Sequence, residues 1–171
     1  MALRELRDED LADVVAACRD PQVQRFTRLP PDYGEAHGRA FIAGAAGRRG
    51  RGASIELAVT GAAGGRLLGA IGLVMDRHDA ARAEVGYWVA PWARRAGVAS
   101  RALALISPWA LGPLGLARLD LLASVANPAS IRAAERCGYV REGTLRQAWF
   151  RGPQREDMAL YSLLPSDLTG G

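Results

Sequence analysis

The stretch VGYWVAPWARRAGVAS, residues 85–100, carries the question on which the fold turns. Up to Ala90 it reads as a strand, Pro91 ends the run, and from about Arg95 apolar residues recur at helical spacing. In a strand–loop–helix of this kind the first helical amides have no intrachain partners, and they point at one place with the positive end of the helix dipole behind them. Gly97 and Ala99 are small, so a bulky anion can approach the backbone. The stretch therefore predicts an anion cradle suited to a phosphate or pyrophosphate, with Arg94 and Arg95 adding charge-assisted contacts. On loop spacing alone, an ordinary helix start with a stray glycine is an equally good reading.

Outward from this stretch the period changes several times. Met1 to Arg7 alternates as a short strand, and Asp8-Glu9-Asp10 caps a helix to about Cys18 that Asp20-Pro21 stops. Asp32 to about Gly47 predicts a second helix, and GRRGRG (47–52) a loop. Ser54 to Thr60 and Leu67 to Met75 predict two antiparallel strands, joined by a turn at Gly61 to Gly65. A third strand covers Ala83 to Ala90, and a helix runs from Arg95 to about Leu111 with a kink or restart at Pro108. Leu116 to Val125 is a strand and Asn127 to Arg136 a short helix ended by Gly138. Tyr139 to Arg151 and Glu156 to Leu164 form a final strand pair. This order predicts an α/β (mixed α+β) class: one mixed sheet with helices on both faces. Residues 1–165 are expected to form a single domain, and 166–171 a short tail.

Composition narrows the functions available. The chain has 171 residues, 49% of them hydrophobic and 23% charged, an ordinary globular balance. All 22 basic residues are arginine, which excludes a phosphate grip or Schiff base made by lysine. The net charge of +4 is no argument for nucleic acid, because GRRGRG lacks the aromatic partners that base stacking needs. Cys18 and Cys137 are far apart and have no metal-ligand spacing, so no metal is expected. A charged start, MALRELRDED, and the lack of any apolar run near 20 residues predict a cytoplasmic protein without a membrane segment.

Two motifs together resemble a known family. Arg94-Arg95-Ala96-Gly97-Val98-Ala99 is similar to the Q/R-x-x-G-x-G/A signature of the GNAT N-acetyltransferases. AEVGYWVAPWARR (83–95) resembles the motif strand of their RimJ/RimL-like, ribosomal-protein-acetylating branch. NPASIRAAERCGYVREGTLR (127–146) resembles that branch's N-x-x-S-x-x-x-x-E-[KR]-x-G-[FY]-x-x-E-G pattern. RELRDEDLADVV, DPQVQRF and REDMALYSLL extend the likeness to about residues 3–165.

The resemblance implies acetyl transfer from acetyl-CoA to an amine, on a mostly antiparallel sheet splayed between the strand ending at Val89 and the one beginning near Leu119. It implies that the backbone of Arg95, Ala96, Gly97, Val98, Ala99 and Ser100 holds the CoA pyrophosphate. It also implies that Val89 pairs with pantetheine and polarises the thioester carbonyl, and that Asn127 bonds the pantetheine arm. Glu84 is the expected general base, because an amine must lose a proton before it attacks. Ser130 is the expected acid, or else a serine that only positions the cofactor. Tyr139 is expected in the core. His78 is the fallback base, and Trp149 stands where some relatives carry a carboxylate. The acceptor is expected to be a protein N-terminus or a small amine, held by the first two helices, RFTRLP (25–30) and the last hairpin. Arg25, Arg28 and Arg39 on those segments favour a neutral or acidic acceptor over a polycation. A catalytically silent acyl-CoA-binding module is the alternative, and Glu84 argues against it. Monomer and homodimer stay equally open.

Overall fold

The computed structural model describes residues 1–151 and 154–168. Its elements are β1 (Ala2–Glu5), α1 (Leu11–Cys18), α2 (Pro21–Phe26), α3 (Glu35–Gly50), β2 (Ser54–Gly61), β3 (Gly64–Met75) and β4 (Arg82–Val89). They continue with α4 (Val98–Leu111), β5 (Arg118–Ser124), α5 (Pro128–Arg136), β6 (Val140–Arg151), β7 (Gln154–Leu163) and α6 (Pro165–Leu168), and single 3-10 turns occupy Asp8–Asp10 and Pro91–Ala93. Seven strands form one sheet in the order β1-β2-β3-β4-β5-β7-β6. Only β4 and β5 pair in parallel; the other pairs are antiparallel. The mixed, mostly antiparallel class expected from the sequence is the one observed. Of the tail expected at 166–171, residues 166–168 belong to α6 and 169–171 lie outside the described residues.

Alternation along the strands sends side chains to two faces. On β2, Ile55 and Val59 join the larger core cluster with Leu103 and Ile106 of α4, Ala133 and Ala134 of α5, and Leu119 and Leu121 of β5. Ala58, between them, faces the other way and packs with Val14, Cys18, Tyr33 and Ile42 under α1 and α3. Helices thus cover both faces, with α1 and α3 packed chiefly over β2 and β3.

Three expectations are corrected. Asp20-Pro21 starts a helix as well as stopping one. Asp20 caps α2 by accepting from the Gln22 and Val23 amides at 3.0 and 3.1 Å, and Pro21 fills the first helical position, where its missing N–H costs nothing. The supposed loop GRRGRG is helical through Gly50, because Arg48 and Arg49 anchor the last turn of α3 to Glu56 and Glu5. The α4 helix begins at Val98 rather than Arg95, because Arg95 and Gly97 both take left-handed backbone, with φ of 61° and 67°. Pro108 sits inside α4 without ending it.

The feature that positions the site is the short β4–β5 pairing. The register runs Arg82↔Arg118, Ala83↔Leu119 and Glu84↔Asp120, then stops. The remainder of β4 stays paired to β3 as far as Val89, and β5 stays paired to β7 as far as Ser124. The two strands therefore part after Glu84 and open a V through the sheet, as the resemblance implied.

Candidate active site

The walls of the V carry unspent backbone groups. Ala90 donates its N–H to Leu68 on β3 at 2.9 Å, and Arg82 offers its carbonyl on that same side, to Asp76 at 2.9 Å. By the two-residue period of a strand, the even positions of β4 bond to β3, while Tyr87 and Val89, beyond the β5 pairing, turn N–H and C=O toward the opening. Val89 is the last of these and stands directly before the 91–100 turn.

Beyond it lies the cradle. The first hydrogen bond of α4 runs from the Arg101 amide to the Gly97 carbonyl at 3.1 Å. The amides of Arg95, Ala96, Gly97, Val98, Ala99 and Ser100 donate to no group among the described residues. Two left-handed residues in this short turn bend these amides into a concave nest. A Cβ added at Gly97 would meet no heavy atom within 4 Å, so the space over the nest is open. Left-handed backbone at Arg95 is a strained state for a residue with a side chain, and such strain concentrates at ligand clamps. Arg95 is exposed, whereas the guanidinium of Arg94 is ion-paired to Asp20. Arg94 therefore ties the turn to the cap of α2. Ala96 is steadied through its carbonyl, which accepts from Arg101.

Across the opening, Asn127 accepts from the Ser130 amide with Oδ1 at 3.2 Å and so caps α5. Its side-chain NH2 is left for a ligand. Ser130 is not alone: its hydroxyl lies 2.8 Å from the Tyr87 hydroxyl. Burial pushes the Tyr87 phenol up to about 12, against a small opposing effect of the Ser130 hydrogen bond and with a small upward push from Cys137. Sequence reasoning passed over Tyr87, and its partner lies 43 residues away, so no local pattern marks the pair. Tyr139 is 4% exposed and bonds Ser107 at 2.8 Å, in the core as expected.

On the opposite face of the sheet, Glu84 stands at the point where the strands part. The residue is exposed, yet enough protein surrounds its carboxyl that desolvation raises its pKa; Arg28 opposes the rise and Asp120 adds to it. Asp120, its neighbour on β5, is 6% exposed and is neutralised by Arg82 and Arg118. Next to Glu84, Gly86 and Gly72 are directly paired and leave the sheet floor bare. A trough of about 190 Å³ lies over them, walled by Thr27, Phe41, Glu56, Val74 and Trp88. At the far end of this face, Trp149 on β6 pairs with Glu156 on β7, and four residues of β6 there span two of β7. Arg28 stacks on the Trp149 ring at 4.7 Å, and Arg25 approaches Glu156 at 3.8 Å. Arg39, by contrast, is spent on Glu35 within α3.

The remaining candidates fall elsewhere. His78 is exposed in the 76–82 loop, where its backbone N–H bonds Asp76 at 2.8 Å. His37 accepts from the Gly34 amide at 3.2 Å at the start of α3. Cys18 is buried and its thiol is pushed up to about 12, chiefly by desolvation. Trp109 is 39% exposed on α4. Among the described residues no group of His, Cys, Asp and Glu is arranged to hold a metal ion, and no helix is long and apolar enough to cross a membrane.

A cradle of free amides at the head of α4, beside a V in a mostly antiparallel sheet, defines a class, and comparison with known proteins gives the same class. A family model described as acetyltransferase (GNAT) domain matches residues 1–140. The chain belongs to that family, the acetyl-CoA-dependent N-acetyltransferases. It is 27% identical over 168 residues to YoaA, an uncharacterized N-acetyltransferase of Bacillus subtilis (strain 168), covering 96% of this chain and 93% of that one. It is 38% identical over 81 residues to the ribosomal-protein-serine acetyltransferase of Escherichia coli (strain K12), covering 47% of this chain and 45% of that one. In fold it is similar to Mycobacterium smegmatis RimJ in complex with CoA-disulfide, with TM-score 0.86, 19% identity, and coverage of 99% and 84%. It is also similar to the Vibrio cholerae spermidine N-acetyltransferase in complex with CoA and spermine, with TM-score 0.83, 21% identity, and coverage of 97% and 96%.

Proposed function

We propose that this chain acetylates a primary amine by direct attack within the V, with Glu84 as general base. The observation that carries the reading is the position of Glu84 at the last residue of the β4–β5 pairing, where the two strands part. Acetyl-CoA supplies the activated acyl group. The amides of residues 95–100 bind its pyrophosphate, the β4 backbone near Val89 pairs with its pantetheine arm, and Asn127 donates to that arm. The Val89 N–H stabilises negative charge that develops on the carbonyl oxygen.

Glu84 takes a proton from the bound ammonium, and the resulting neutral amine attacks the thioester carbonyl. Its raised pKa makes it a better base than an ordinary carboxylate. The Tyr87–Ser130 hydroxyl pair, held protonated by burial, gives a proton to the departing thiolate and is reprotonated by the second proton that the nitrogen loses as the amide forms. The acceptor enters over Gly72 and Gly86 and is a protein N-terminus or a small amine. A cytoplasmic setting, one domain over 1–165, and a monomer or homodimer without nucleic acid complete the proposal.

The test is release of CoA thiol with a panel of amines, for wild type and Glu84→Gln, against pH. The variant keeps acetyl-CoA binding and loses roughly 10²–10⁴ in turnover, and the loss shrinks as pH rises because more amine arrives deprotonated. A variant within about threefold of wild type at neutral pH removes Glu84 from the mechanism. Thiol release with no amine in the panel, despite tight acetyl-CoA binding, favours the silent binding module.

A further inference from the structure

Among the described residues Arg28 forms no ion pair, in a region where its neighbours are paired. Arg25 approaches Glu156, Arg82 and Arg118 share Asp120, and Arg94 holds Asp20. Arg28 forms no ion pair and no hydrogen bond among the described residues, although it is the cation that acts on Glu84. Its guanidinium lies over the indole of Trp149, 4.7 Å from the ring centre. Stacking uses the face of a guanidinium and leaves its edge, with five N–H donors in a fixed fork, unspent.

The loop that carries it is pinned. Gln24 donates to the Cys18 and Pro30 carbonyls at 2.6 and 3.0 Å, and Thr27 donates to the Val23 carbonyl at 2.7 Å. A rigid loop and an aromatic platform thus hold an unspent, carboxylate-shaped donor set beside the residue proposed to deprotonate the acceptor.

We infer that Arg28, clamped on Trp149, determines acceptor specificity by binding a carboxylate that the acceptor carries a few bonds from its reactive amine. The inference rests on the acetyl-transfer reading above and narrows its acceptor. Glu84 takes the ammonium end and Arg28 the anionic end, so an amine without an anion leaves Arg28 unmatched, and a polyamine sets a second cation against it. The carboxylate has two possible sources: the α-carboxylate of an amino acid, or an acidic side chain at a peptide N-terminus.

Matched pairs separate these sources. Alanine and alaninamide differ only at the α-carboxylate, and the peptide amides Asp-Ala-Ala and Asn-Ala-Ala differ only at the side chain. Each is assayed for acetyl transfer and, with CoA present, for binding by calorimetry, in wild type, Arg28→Gln and Arg28→Lys. In at least one pair the carboxylate member is preferred roughly 10- to 100-fold, mainly through KM. That ratio falls to about one in Arg28→Gln and is partly kept in Arg28→Lys, and spermidine is the poorest acceptor of the wild type. The pair that shows the ratio identifies the source. A wild-type ratio at or below one in both pairs, a ratio that survives Arg28→Gln, or spermidine as the preferred acceptor overturns the inference. If no amine is turned over, the acetyl-transfer reading fails, and the binding ratios alone still decide the role of Arg28.

Discussion

Replacing Gly97 by valine separates the cradle from the helix that it opens. Gly97 has φ of 67°, a conformation that costs a residue with a side chain about 1–2 kcal/mol. For a domain of this size each kcal/mol lowers Tm by about 2–4 °C, so the variant melts roughly 2–8 °C below wild type. The added atoms meet no protein atom within 4 Å, so backbone strain is the whole folding cost. They do fill the space in front of the free amides of residues 95–100.

Acetyl-CoA at a hundred times its Kd stabilises a native state by about 2.7 kcal/mol, which raises Tm by about 5–11 °C. Wild type shows that rise in a thermal-shift titration and Gly97→Val does not. Gly115→Val is the control. Gly115 has φ of 79° and open space around its Cβ, but it lies between the end of α4 and the start of β5, away from the nest. It loses a similar amount of Tm and keeps the full acetyl-CoA shift. An undiminished shift in Gly97→Val, or equal loss of the shift in both variants, refutes the cradle argument.

Two further outcomes follow from the ion pairs. Asp20→Ala removes both the cap of α2 and the partner of Arg94; Tm falls by roughly 2–6 °C, and acetyl-CoA affinity weakens because the 91–100 turn loses its tether, as titration calorimetry would read. Glu142 is held down to about 2 by its hydrogen bond to Arg118 and by Ser162. A depressed carboxyl favours the fold above its unfolded value of about 4.3, and that contribution is lost as pH falls from there toward 2. Glu142→Gln therefore has a shallower fall of Tm between about pH 4.5 and 2; an unchanged slope contradicts the pairing with Arg118.

Local physics wrote much of this protein into its sequence. The alternation that ends at Val89, the break at Pro91 and the helical period after Gly97 each depend on residues within one turn or one strand of one another. Asn127 was legible as the start of α5 because a cap acts over three residues. Where local signals compete, the sequence misled. Pro21 ends one helix and also suits the first position of the next. The glycines of GRRG read as a loop until ion pairs from Glu56 and Glu5, distant in sequence, secure the last turn of α3.

The site itself was decided by tertiary structure. The V exists because β4 and β5 pair for three residues and then follow different neighbours, a register that neither segment contains alone. Arg94 is tethered by Asp20, which comes from 74 residues earlier in the chain. Tyr87 meets Ser130, and Arg28 meets Trp149, only after the sheet has stacked their strands and loops together. Backbone amides can be placed by a local turn, but the charge and hydrogen-bond partners of a side chain depend on which distant residues packing brings within a few ångströms.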